Sequence, residues 1–122
     1  MIPIIDIKIM KTETRTGLAE KKCVPCEGNV PALKKEEIDE FRKEISGEWE
    51  VLDNVKLRRE FDFVNYRATI DFVNQVATIA EEEGHHPDLC VSYGKVIVEL
   101  STHAIKGLSE NDFILAAKIE TF

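Results

Sequence analysis

Hydrophobic residues recur along this chain with two different periods, and the changes of period mark the predicted elements. Over residues 33–45 the apolar side chains return on one face of a helix, and the same helical period covers 66–83. Gly84 follows the second segment and predicts a left-handed helix end. A Ser-Glu-Asn-Asp capping box opens a third segment over 109–119. The pattern therefore predicts three helices.

Alternation of apolar and polar residues predicts four strands between these helices. The first pair, 49–51 and 57–63, is separated by an Asp53-Asn54 turn, and the second pair, 88–93 and 96–100, forms a β-hairpin. Two hairpin-like pairs with helices between them indicate an antiparallel sheet that is covered on one face. We therefore predict an α+β fold of two layers.

The first 30 residues show a weaker pattern than the rest of the chain. Residues 4–11 alternate well enough for a strand and equally suit a loose arm. Two prolines and a glycine interrupt any regular element over 23–31, where the composition changes. We therefore expect an N-terminal extension over 1–30, with no assigned role, and a folded domain over 31–122.

Composition and charge exclude several classes of function. A chain of 122 residues is about one domain long, and 43% apolar with 32% charged residues is typical of a folded soluble domain. The 16 basic and 23 acidic residues give a net charge of −7, which disfavours a nucleic-acid partner. The apolar runs are too short to cross a membrane, and the N-terminus resembles no secretory signal. We expect neither nucleic acid nor membrane as a partner.

The three cysteines indicate a reducing compartment, since an odd number in a chain of this size argues against a disulfide framework. We therefore expect the protein to be cytoplasmic. Cys23 and Cys26 form a single CxxC motif, which supplies only half of a tetrahedral zinc site. The residues after it, up to Pro31, do not suit the helix start that a redox motif needs. Cys90, on a predicted strand, is expected to be a small buried side chain.

The three histidines are the residues with the clearest chemical potential. His85 and His86 lie between the second helix and the hairpin, and His103 lies just beyond the hairpin. Because the strands 88–93 and 96–100 are antiparallel, the start of the first lies beside the end of the second. We therefore expect all three imidazoles at one end of the sheet.

Three interpretations of this histidine cluster are open: exposed loop residues with no shared role, a catalytic metal centre, or general acid–base catalysis. An extended backbone directs the neighbouring His85 and His86 to opposite sides, which disfavours a single metal centre. An imidazole titrates at about pH 6.5, so both of its proton forms are available near neutrality. This property favours acid–base catalysis without a metal.

The histidines belong to a longer pattern of spaced residues. In chain order, the residues of this pattern are Glu81, His85, His86, Pro87, Tyr93, His103 and Asp112. At these spacings the pattern resembles the signature of the pterin-4a-carbinolamine dehydratase family. The match continues through Leu-Ser-Thr-His at 100–103 and Gly-Leu-Ser-Glu at 107–110, and Trp49 resembles the aromatic residue that follows the first helix of the family.

The resemblance covers the chain from about Pro31 to the C-terminus and implies both a fold and an activity. The family fold is a four-stranded antiparallel sheet with helices packed on one face, in agreement with the order of predicted elements. The family reaction removes water from 4a-hydroxytetrahydrobiopterin and yields quinonoid dihydrobiopterin, which recycles the cofactor of aromatic amino-acid hydroxylases. This hydro-lyase reaction needs no metal and no organic cofactor.

The resemblance also implies roles for individual residues. His85 and His103 are expected to flank the reacting carbon as acid and base, while His86 positions the pterin ring. The further residues expected at the substrate are Glu81, Gly84, Ser101, Thr102, Ala104 and Trp49. Asp112 is expected to cap the last helix, in place of the usual Glu, and to support a histidine.

Several of these residues also have a purely structural interpretation. Glu81 belongs to an exposed acidic run, and a tryptophan beside a strand is more often part of the core. The chain departs from the family at Gly84, where many relatives carry an acidic or amide residue, and at Ile105, where animal members carry a cysteine. These two departures leave the choice of pterin open.

Two other functions are compatible with the same resemblance. Animal relatives serve as dimerisation cofactors of a homeodomain transcription factor, so the chain could be a protein-binding module. A molybdopterin-related or other pterin-handling role on the same scaffold is a further alternative. Since relatives assemble as dimers and tetramers, and an edge strand offers a route to assembly, we expect a homo-oligomer.

Overall fold

The computed structural model describes residues 17–24 and 31–122. The strand or arm predicted over 4–11 and Cys26 of the CxxC motif lie outside the described residues. Within the described ranges, no helix is long and apolar enough to cross a bilayer.

Helices and strands alternate along the described chain in the predicted order. The elements are α1 Lys35–Arg42, β1 Glu50–Leu52, β2 Lys56–Asp62, α2 Tyr66–Glu83, β3 Asp88–Ser92, β4 Lys95–Leu100 and α3 Glu110–Ile119. A 3₁₀ turn, His103–Ile105, separates β4 from α3, and a short helical turn covers 17–20. The strands form an antiparallel sheet in the order β1-β2-β4-β3, which confirms the predicted α+β fold with a four-stranded sheet.

Helix α2 has the predicted bounds because polar side chains and backbone conformation define both of its ends. At the N-terminus, Asn65 Oδ1 accepts the Ala68 amide at 2.8 Å. At the C-terminus, Gly84 adopts the left-handed conformation with φ 66°, and the His85 amide donates back to the Ala80 carbonyl at 3.2 Å. The backbone of His85 is therefore part of the helix end.

Helix α1 is shorter than the apolar pattern predicts. After Arg42 the backbone tightens, and the amides of Glu44 and Ile45 bond to carbonyls three residues earlier, at 2.9 and 3.4 Å. Ile45 is nevertheless buried. The apolar period thus extends beyond the regular helix, because these tighter turns keep Ile45 directed at the core.

Alternation along β4 separates the covered face of the sheet from a charged face. Val96, Val98 and Leu100 are fully buried and belong to the same core as the apolar residues of the helices. Glu99 lies on the other face and pairs with Lys56 at 3.0 Å. An ion pair at a partly exposed position contributes about 1 kcal/mol, so burial under the helices contributes more to the stability of the sheet.

Cys90 is exposed, so the prediction of a buried cysteine is wrong. Strand β3 lies at the edge of the sheet, and Cys90 pairs with Ile97 on the face opposite the helices. The preceding residue, Leu89, points to the other face and packs against the core. The sequence period alone could not decide which of these two neighbours faces the helices.

Residues 17–24 pack on the folded core rather than apart from it. Leu18 is only 2% exposed and belongs to the hydrophobic core. The Lys118 ammonium of α3 donates to the Ala19 carbonyl at 2.7 Å. The boundary at residue 30 stays a prediction, but the physical unit includes segment 17–24.

Glu83, the last residue of α2, holds the end of segment 17–24. Its side chain is 6% exposed, its Oε1 accepts the Cys23 amide at 2.8 Å, and its Oε2 lies 3.5 Å from Lys22 Nζ and 3.6 Å from Lys118 Nζ. Burial alone would raise the pKa of Glu83. The Cys23 hydrogen bond and the two ammonium groups outweigh burial, and they hold this pKa below its ordinary value of 4.5.

We expect Leu18→Ala to lower the free energy of unfolding by about 2–5 kcal/mol, the usual cost of emptying a buried leucine site. Urea unfolding of the full chain measures this effect. Glu20→Ala, an exposed change in the same segment, should stay within about 0.5 kcal/mol of the parent. Equal stabilities for Leu18→Ala and the parent would mean that segment 17–24 is not part of the folded core.

Glu83→Gln should make the free energy of unfolding less dependent on pH in the acidic range. Because the folded-state pKa is lowered, the carboxylate stabilises the parent fully above its unfolded value of about 4.5, and this contribution is lost as the pH falls through the folded value. The difference in unfolding free energy between parent and variant, measured from about pH 7 to about pH 3, should therefore shrink below about pH 4.5. The exposed Glu82→Gln is the control, and a pH-independent difference for Glu83→Gln contradicts the expectation.

Candidate functional site

The candidate site lies where the end of α2 meets the start of α3. His85 follows the glycine that ends α2, and Asp112 is the third residue of α3. His85 Nε2 and Asp112 Oδ1 are 2.6 Å apart, and the two side chains are 11% and 0% exposed. The helix packing therefore joins residues 27 positions apart into a buried histidine–carboxylate pair.

Both carboxylate oxygens of Asp112 are hydrogen-bonded, and the donors come from three separate parts of the chain. In addition to His85, the Thr102 hydroxyl donates to Oδ2 at 2.8 Å and the Ser109 amide donates to Oδ2 at 3.0 Å. A buried carboxylate is costly unless its lone pairs are occupied, and here each donor comes from a different turn of the chain. Asp112 therefore caps α3 and orients His85 at the same time.

The hydroxyl groups form a directed chain toward this carboxylate. Thr102 Oγ1 also lies 2.8 Å from Ser109 Oγ. A hydroxyl has one proton, and that of Thr102 is given to Asp112, so Ser109 is the donor in the Ser109–Thr102 contact. The sequence predicts Ser109 only as a helix cap, although its capping-box partner Asp112 connects it with the site.

His86 occupies the solvent side of the same corner. Its Nε2 lies 2.6 Å from Glu81 Oε2, and the two side chains are 58% and 77% exposed. Solvent competes for an exposed pair of this kind, so the contact adds little to stability. His86 is thus accessible to a ligand, whereas His85 is mostly enclosed.

His103 is brought to the same end of the sheet by the strand register. Asp88 pairs with Glu99, so the residues before β3 and those after β4 lie at the same end of the sheet. His103 opens the 3₁₀ turn directly after Thr102, which shares Asp112 with His85, and its side chain is exposed. The histidines predicted to converge are therefore carried by adjoining backbone segments.

The other residues predicted at the substrate differ in what they can still bind. Gly84 contributes backbone conformation, and Ser101 is half-buried while Ala104 is exposed. Thr102 is buried, its hydroxyl is used by Ser109 and Asp112, and its amide donates to the Gly107 carbonyl at 2.8 Å. Within the chain, the Thr102 hydroxyl therefore supports Asp112, and its role as a direct hydrogen-bonding partner of a ligand stays a prediction.

Trp49 does not join this site within the chain. Its side chain is fully buried, and its indole Nε1 donates to Glu120 Oε2 at 2.9 Å, just beyond the C-terminus of α3. Asp112 lies eight residues earlier, about 12 Å along the helix. Trp49 as a substrate contact stays a prediction, and within the chain its position is that of its structural alternative, a place in the core.

A cavity of about 330 Å³ lies at this opposite end of the molecule. Its lining combines aromatic and acidic side chains with Arg59. The guanidinium of Arg59 stands over the rings of Phe61 and Trp49, with centroid distances of 4.5 and 5.8 Å. The predicted site residues do not line this cavity.

In the described part of the chain, no group of three or more His, Cys, Asp or Glu side chains is arranged to hold a metal ion. The two neighbouring histidines each face a different carboxylate, at the distances given above. Such hydrogen-bonded imidazoles, one enclosed and one exposed, are suited to binding and proton transfer.

Comparison with known proteins gives consistent similarities. The sequence model of the family described as Pterin 4 alpha carbinolamine dehydratase matches residues 31–122. A protein of Rickettsia canadensis (strain McKiel), named "Putative pterin-4-alpha-carbinolamine dehydratase", is 53% identical over 106 residues, which cover 87% of this chain and 97% of the relative. A protein of the same name from Nitrosospira multiformis is 54% identical over 108 residues, covering 88% of this chain and 94% of that protein.

Solved structures show the same fold. A crystal structure of a transcriptional coactivator/pterin dehydratase from Brucella melitensis superposes with a TM-score of 0.69 at 30% identity, covering 74% of this chain and 96% of that chain. A pterin dehydratase-like protein, described as a RuBisCO assembly factor in the alpha-carboxysome, gives a TM-score of 0.53 at 24% identity over 60% of this chain and 86% of that chain. This second similarity shows the fold alone.

The sequence similarity extends ahead of the family match. The 106 residues aligned with the Rickettsia protein exceed the 92 residues of 31–122, so at least 14 residues before position 31 take part. The relatives therefore share part of the region predicted as an extension.

We expect Asp112→Asn to lower the free energy of unfolding by about 1–3 kcal/mol, because an amide presents donors where the carboxylate accepted three hydrogen bonds. The amide oxygen can serve Thr102 and Ser109 only if its NH₂ group faces His85, which forces His85 Nε2 to accept. Urea unfolding and the ¹⁵N resonances of the His85 ring measure the two effects.

Asp39→Asn is the matched control, since this exposed aspartate pairs with Lys35 at the surface, at 2.9 Å. It should stay within about 0.5 kcal/mol of the parent. Unchanged stability and unchanged His85 resonances in Asp112→Asn would show that the carboxylate does not support His85.

Proposed function

Because this chain belongs to the pterin-4a-carbinolamine dehydratase family, we propose that it eliminates water from a 4a-hydroxytetrahydropterin to give a quinonoid dihydropterin. The observation that carries the proposal is the buried His85–Asp112 pair, at 2.6 Å, next to two exposed histidines. The biological setting that we propose is recycling of tetrahydrobiopterin in the cytoplasm, by a homo-oligomer.

The proposed elimination needs one acid and one base and no change of oxidation state. The bond between C4a and its hydroxyl oxygen breaks, and the oxygen receives a proton and leaves as water. The proton on N5 is removed, and its electron pair forms the double bond between C4a and N5. Two imidazoles, one protonated and one neutral, supply this chemistry. One gives a proton to the leaving oxygen and the other takes the proton from N5, so together they neither gain nor lose a proton.

His85 is the proposed base. Asp112 accepts the Nε2 proton of the neutral ring, so the lone pair lies on Nδ1, which can take the N5 proton. The carboxylate then stabilises the imidazolium that forms, in the same way that a buried aspartate orients the histidine of a hydrolase triad. Thr102 and Ser109 act through Asp112 rather than on the substrate.

His103 is the proposed acid, and His86 the residue that positions the ring. His103 lies on the exposed turn after β4, where its side chain can approach the leaving hydroxyl. The exposed His86–Glu81 pair offers polar contacts to the pterin, and Ser101 and Ala104 border the same edge of the sheet. A pterin is the only small molecule that this assignment requires.

We expect His85→Ala and His103→Ala each to lower kcat for dehydration of a synthetic 4a-hydroxytetrahydropterin by about 10²–10⁴-fold, the usual contribution of a general acid or base. His86→Ala should mainly raise KM, because this residue holds the ring and transfers no proton. Stopped-flow absorbance of the quinonoid product measures both constants.

Glu82→Ala, an exposed change in the last turn of α2, is the control and should retain parental kinetics. Circular dichroism establishes that each variant is folded. Full rates in both His85→Ala and His103→Ala, or a parent protein that does not accelerate the dehydration, would contradict the dehydratase assignment. Binding of 7,8-dihydrobiopterin without turnover would instead favour a pterin-handling role, and absence of pterin binding a protein-binding one.

A further inference from the structure

Segment 17–24 contacts the two helix ends that carry the buried His85–Asp112 pair. Glu83, two residues ahead of His85, accepts the Cys23 amide at 2.8 Å at the end of α2. Asn111, directly ahead of Asp112, binds Val24 at the start of α3. The segment therefore bridges the positions from which both members of the pair project.

The contact with Asn111 is reciprocal. The Val24 amide donates to Asn111 Oδ1 at 3.0 Å, and Asn111 Nδ2 donates to the Val24 carbonyl at 2.6 Å. Asn111 is 4% exposed, and a side-chain amide can give and accept a hydrogen bond at once. The side chain thus binds segment 17–24 much as a neighbouring strand would.

The contact with Glu83 adds charge to this connection. Lys118 of α3 lies 3.6 Å from Glu83 Oε2 and also donates to the Ala19 carbonyl, so one ammonium group joins α2, α3 and the segment. Lys118 and Glu83 side chains are 15% and 6% exposed, and buried charges of this kind are strongly destabilised when a partner is removed. The three parts are therefore held as one unit.

We propose that segment 17–24 is a structural part of the active site, and that Glu83 and Asn111 are positioning residues for the His85–Asp112 pair. Insofar as it concerns catalysis, the inference rests on the proposed dehydratase function. Apolar packing of α2 on α3 tolerates small shifts of one helix along the other, but a 2.6 Å hydrogen bond does not. The polar contacts of the segment set the position of both helix ends.

Asn111→Asp and Glu83→Gln test this inference in the full-length chain. Asn111→Asp keeps the acceptor for Val24, replaces the donor by a second oxygen, and leaves a carboxylate where a helix N-terminus favours one. Glu83→Gln keeps the acceptor for Cys23 and removes the charge that faces Lys118. The control is Glu82→Gln, an exposed change in the last turn of α2 that touches neither connection.

Two measurements are made on each variant. The ¹⁵N resonances of the His85 ring, one of three histidines in the chain, report the hydrogen bond to Asp112 without any need for turnover. Steady-state kinetics report kcat and KM separately. We expect both variants to shift the His85 resonances and to lower kcat by about 10–100-fold at unchanged KM, and the control to do neither.

The result that overturns the inference is a pair of folded variants with parental His85 resonances. Shifted resonances with parental kcat would also overturn it, since the segment would then hold the ring without serving the reaction. Should the parent lack dehydratase activity, the proposed function fails on its own, and the resonances still decide whether segment 17–24 positions His85.

Discussion

The buried carboxylate of Asp112 is the interaction on which the organisation of the site depends. It accepts hydrogen bonds from His85, Thr102 and the Ser109 amide, and it has no solvent exposure with which to replace a missing donor. The end of α2, the end of β4 and the start of α3 must therefore meet at one point. Folding is coupled to the geometry of the histidines because the same carboxylate serves both.

The two ends of α3 have different functions in the structure. Its N-terminus carries the polar network and lies beside the histidines. Its C-terminus holds the Trp49 indole through Glu120, and the aromatic and acidic cavity opens there. Because α3 is almost entirely buried, both of its ends are held in the core, and the proposed chemistry lies beside its first turn.

The unit that folds is larger than the unit defined by the family match. The match begins at residue 31, yet Leu18 is in the core and segment 17–24 binds both Glu83 and Asn111. Similarity to relatives also begins at least 14 residues earlier than the match. A short polar segment is a weak sequence signal, but its backbone amides bind the mostly buried side chains of Glu83 and Asn111.

The sequence by itself determined the order of elements, the ends of α2 and the capping box of α3, because hydrophobic period and capping are local properties. It also placed the three histidines at one edge, since antiparallel pairing follows from a short turn. Only the tertiary structure decided that Asp112 binds His85, that Thr102 is enclosed, that Trp49 lies at the other end of α3 and that Cys90 faces outward. These outcomes depend on how helices pack across the sheet, and contacts between residues tens of positions apart leave no period in the sequence.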